Sequence, residues 1–97
     1  MSFELILTDR RESIKAHEEL MLDSTIDTIK HPKLRWLLDN FYSSPKIDPS
    51  SANLLVHELI DLRSSSKDQT LKFTLDRLIP FFSKAYVSDL WISTSSD

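Results

Sequence analysis

His57, Glu58 and Asp61, within the stretch VHELIDLR at residues 56–63, come nearest of all residues in this chain to a chemical motif. A histidine beside one carboxylate and a helical turn before another suggests a metal ligand or a phosphoryl acceptor. A zinc-protease helix needs a second histidine at the fifth position, so that two imidazoles face the metal from adjacent turns; Asp61 stands there instead. His17 and His31 supply further nitrogens only through a tertiary contact. Histidine phosphotransfer domains follow their histidine with a lysine–glycine pair, whereas His57 is followed by Glu58, Leu59 and Ile60. Two nearby carboxylates would also repel a phosphoryl group. The expected role of His57 is structural, as a helix residue paired with Asp61 across one turn.

The elements that must carry these residues read as helices. Asp9 with Glu12 forms a capping-box-like start, and Ile14, Met21, Leu22, Thr25 and Ile29 fall on one broad stripe to about Lys30, as one bent rod or two pieces. His31-Pro32 forces a boundary, and the next helix runs from Pro32 to about Tyr42 over Leu34, Leu37, Leu38 and Phe41. Asp48-Pro49 opens the helix that holds His57, with Ala52, Leu55, Leu59 and Leu62 as its core stripe. Ser66 with Gln69 opens the last, through Leu71, Leu75, Leu78 and Phe82. Pro80 is expected to kink or split that stretch near Ile79. Phe3, Leu5 and Leu7 alternate as in a strand, yet Phe3 and Leu7 also lie one helical turn apart, so residues 1–8 read as an arm; the polar tail, 93–97, reads as frayed. The expectation is one all-α domain over residues 1–97, a bundle of four to six helices.

Composition narrows the function. The 97 residues include no cysteine and no glycine. Cysteine catalysis, thiolate metal sites, Gly-rich phosphate loops and the nucleophile elbow are therefore excluded. The serines lack a supported His-and-Asp partnership and occupy caps or loops, so neither an enzyme nor a cofactor is expected. Net charge is −3 and the pI is near 5.5, which disfavours nucleic acid and anionic membranes and favours a basic partner. The N-terminus has its apolar residues before its basic ones and no long apolar run, so the expected compartment is the cytoplasm.

Two surface features point to binding. On a continuous first helix Glu12, Glu19, Asp23 and Asp27 would share one outward face, an acidic ridge suited to a basic surface. Trp36, Phe73 and Trp91 lie off the core stripes. Phe73 is expected to be covered, while Trp36 and Trp91 are candidate interface anchors. Glu19, Asp23, Asp27, Trp36 and Trp91 are thus the candidate partner-binding residues.

The stretch LIDLRSSSKDQTLKFTLDRLIPFFSKAY, residues 59–86, resembles the all-helical immunity proteins of bacterial contact-dependent growth inhibition systems. That resemblance implies a cytoplasmic protein that binds its cognate toxin domain, often a nuclease, and blocks it stoichiometrically without catalysis. It implies no membrane, nucleic-acid or small-molecule ligand. The alternative is a helical adaptor, similar to a secretion chaperone, that binds an amphipathic partner helix.

Overall fold

Phe3 and Leu5 alternate with exposed or half-exposed neighbours, and in the computed structural model, which describes residues 2–96, that alternation forms a strand. Strand β1 (Ser2–Ile6) is the centre of a three-stranded antiparallel sheet in the order β2-β1-β3. β2 (Arg11–Lys15) returns after a short turn, setting Ile14 opposite Phe3 and Glu12 opposite Leu5. β3 (Ser93–Ser96) lies on the other side of β1, with Ser96 opposite Phe3. The all-α expectation is therefore wrong, and the chain is mixed α and β.

Asp9 sits in the turn of the hairpin, where the Leu7 N–H donates to the Arg10 carbonyl at 2.8 Å, and it starts no helix. The supposed arm holds the central strand and the supposed frayed tail an edge strand, with residues 1 and 97 of those two segments outside the described residues. Their burial is uneven. Phe3, Leu5 and Leu7 enter the core, whereas β3 offers only serine and threonine side chains and is fastened by Ile92, whose main chain bridges to Ile47.

Helix α1 (Ala16–Thr25) is shorter than its periodicity suggested. Hydroxyls of Ser24 and Thr25 donate back to the Met21 carbonyl, and Ile26 is extended, so the last turn is closed by its own side chains. Helix α2 (Pro32–Asp39) starts at the expected proline and passes through Asn40 into a 3-10 turn, Phe41–Ser43. The Phe41 ring stacks on Phe3 with centroids 3.9 Å apart, joining this turn to the sheet.

Helix α3 (Pro49–Ser65) and helix α4 (Gln69–Val87) form the most extensive helix pair. Asp68, and not Ser66, caps α4 by accepting the N–H groups of Thr70 and Leu71. Pro80 does not split α4, which stays helical to Val87. Pro80 and Asp76 are both exposed, so the Asp76 carbonyl that loses its donor lies on the face that water reaches.

With no glycine available, two other residues take left-handed backbone: Ser44 at φ 49° and Asp89 at φ 54°. Asp89 closes α4 as glycine commonly would. Its N–H donates to the Tyr86 carbonyl at 3.1 Å and that of Leu90 to Ala85 at 2.9 Å. One apolar cluster fills the space between sheet and helices, with Leu5, Ile47, Leu55, Leu59, Leu75, Phe82 and Ile92 all fully buried.

Candidate interaction surface

In α3 the expected pair of His57 with Asp61 does not form. His57 is exposed and takes no hydrogen bond or ion pair among the described residues. Its two neighbours instead hold α2. Glu58 accepts the N–H of Lys33 at 3.0 Å and of Leu34 at 2.8 Å, satisfying donors that the first turn of α2 leaves free. Asp61 Oδ2 lies 2.8 Å from Nε2 of His31, which is 3% exposed. His31 Nδ1 accepts the Asp27 N–H at 3.0 Å, so the neutral ring carries its proton on Nε2 and donates it to Asp61. Both ring nitrogens are occupied, which leaves His31 no lone pair for a substrate or metal. No group of three or more metal-ligating side chains occurs among the described residues.

The continuous acidic ridge does not form. The acidic ridge required a helix continuous from Glu12 to Asp27, but Glu12 is in β2 and Asp27 lies beyond the end of α1. Asp23, still on α1, accepts Arg35 Nη2 at 2.6 Å; the same guanidinium meets Asp39 at 3.0 Å. Asp27 accepts the Ile29 and Lys30 N–H groups, and these donors hold its carboxyl below the usual range. Glu19 borders a small hollow with Ser2, Phe3, Phe41, Tyr42 and Ser96. Of the three, only Glu19 has no bonded partner among the described residues.

Trp36 packs partly against the core, with Lys33 Nζ 4.1 Å from its ring centre on the α2 surface. Trp91 is 62% exposed. Its backbone is nonetheless held, by the α4 cap at Leu90 on one side and the Ile92–Ile47 bridge on the other. Phe73, expected to be covered, is 71% exposed.

A polar cluster that sequence reading missed joins β2 and α1 to α4. Glu18 lies in the first turn of α1. Its Oε1 accepts the Lys15 N–H at 3.1 Å, and its Oε2 takes the Thr74 hydroxyl at 2.6 Å together with Arg77 Nη2. Arg77 Nη1 also binds Glu12 at 2.6 Å and reaches the Ser13 carbonyl at 3.3 Å. Burial pushes the Glu18 carboxyl up, but the Thr74, Lys15 and Arg77 donors outweigh it and leave it below its ordinary value. Once α1 is started at Ala16, Glu18 occupies the acidic position of a capping box. Nothing local in the sequence points to Arg77, 59 positions away.

No protein-family model, curated protein or solved structure matches this chain. No helix among the described residues is long and apolar enough to cross a membrane.

Proposed function

We propose that this chain acts by stoichiometric binding to a protein partner, as an immunity protein that covers the basic substrate-binding surface of a cognate toxin, with a nuclease domain the favoured target. The observation that carries this reading is Trp91, a large exposed ring on a backbone held from both sides. Such a residue loses little backbone freedom on binding and supplies desolvated contact, the character of an interface anchor. Glu19 and the net negative charge complement a basic surface. Asp23 and Asp27 contribute less, since both already serve internal partners.

The test is co-expression with the protein encoded by the neighbouring reading frame, followed by titration calorimetry. Trp91→Ala is expected to weaken the complex by about 2 kcal/mol, the threshold of a hot spot. Glu19→Lys is expected to slow association and reduce its salt dependence. Absence of a complex overturns the proposal.

A second reading, an adaptor for an amphipathic helix, draws on Phe73, Pro80 and Val87, exposed residues spaced by sevens along α4. It predicts binding that is insensitive to salt and to Trp91→Ala.

A further inference from the structure

A hollow of about 390 Å³ opens between the start of α1 and the first turns of α4, lined by Lys15, His17, Glu18, Thr70, Phe73, Thr74 and Arg77. Its volume is in the range of small-ligand sites. The walls are mostly apolar, with the exposed Phe73 ring among them. The polar groups divide into two sets. Thr74 and Arg77 both donate to Glu18, and Glu12 holds the other side of Arg77. The Lys15 ammonium, the His17 ring and the Thr70 hydroxyl have no partner among the described residues. The Glu12 and Glu18 carboxylates are spent, while the unspent groups are chiefly donors, one of them the amine of a lysine.

We infer that this hollow is a binding site for an apolar carboxylate, its hydrocarbon body lying against Phe73 and its carboxylate meeting Lys15 and Thr70. Apolar walls select the body and the unspent donors select an acceptor-rich anionic head. Recognition here uses none of the residues invoked for toxin binding, so either reading survives the failure of the other.

The test is a titration of the ¹⁵N-labelled chain with 3-phenylpropionate, with 3-phenylpropionamide, and with a capped tetrapeptide ending in phenylalanine and a free α-carboxylate. The carboxylate probes are expected to shift the amide resonances of His17, Thr70 and Phe73. The amide should bind about tenfold more weakly, the factor a hydrogen bond to a charged group supplies. Lys15→Gln should erase that preference, and Phe73→Ser should weaken both carboxylates, with far-UV circular dichroism unchanged. If both carboxylates bind, a free small molecule suffices; binding by the peptide alone assigns the site to a partner's C-terminal residue. Equal binding of the amide by the wild-type chain, or no shift at millimolar probe, overturns the inference without depending on any variant's folding.

Discussion

The carboxylate of Glu58, midway along α3, accepts the main-chain N–H of Leu34 at 2.8 Å and so caps a helix 24 positions earlier in the chain. A side chain at the start of a helix usually does this work; here the preceding residue, His31, makes no cap bond and is turned toward Asp61. Glu58→Ala is expected to cost about 1–2 kcal/mol, the upper range for loss of a helix cap, because two donors lose their acceptor together. His57→Ala, next to it, should stay within about 0.5 kcal/mol of wild type, as a partnerless surface residue. Urea denaturation of the two variants separates the neighbours.

His31 is fixed as one tautomer by what it touches. The proton should reside on Nε2, and long-range ¹H–¹⁵N spectra of the ring should show Nδ1 as the unprotonated nitrogen. The opposite assignment would remove the Asp27 N–H bond from the structure. His31→Ala should destabilise the chain by about 1–3 kcal/mol, since it removes a buried ring and takes the acceptor from the part-buried Asp27 N–H. Asp61→Asn should cost less, because Asp61 is 58% exposed and water can replace the ring.

Glu18 contributes to the loss of stability in acid. Its folded carboxyl titrates below the unfolded one, so the stabilisation it gives is complete above the ordinary glutamate value of about 4.3 and is lost as pH falls through the folded value. Urea midpoints measured between pH 7 and pH 3 should drop on the acid side, less steeply in Glu18→Gln. Arg77→Met at neutral pH should cost about 2–3 kcal/mol, below the ~3–5 of a fully buried broken pair, because Arg77 is 30% exposed.

Asp89→Gly should stabilise the chain by about 1 kcal/mol. The position already has φ 54° and makes the two bonds of a glycine-type helix end, so glycine removes the strain of a Cβ in left-handed backbone. A lower thermal midpoint for this variant would mean that the Asp89 side chain does something its backbone does not reveal.

Helices were legible where local signals are strong. Pro32 and Pro49 mark the first residues of α2 and α3, and the stripe leucines of α2, α3 and α4, such as Leu55, Leu59 and Leu62, recur on the buried faces. The sheet was not legible for reasons that differ by strand. β1 is short enough to satisfy two periodicities; β2 buries only Ile14; β3 has no apolar residue to alternate. Such strands exist because the chain brings partners to them, information absent from any short window. The same holds for VHELIDLR. The partners of its carboxylates, Leu34 and His31, lie 24 and 30 positions away, whereas local spacing offers only His57.

Arg77 has one more effect, through the Ser13 carbonyl. Ser13 is on β2, an edge of the sheet, and an edge with free main-chain groups is a template on which another chain can add a strand. Here the carbonyl is taken by the guanidinium and the Ser13 N–H by the Glu12 carboxylate at 3.2 Å. The ion pair that fastens α4 to the sheet is thus also a guard on that edge. Any change that releases Arg77 therefore loosens the attachment of α4 and frees the Ser13 carbonyl together.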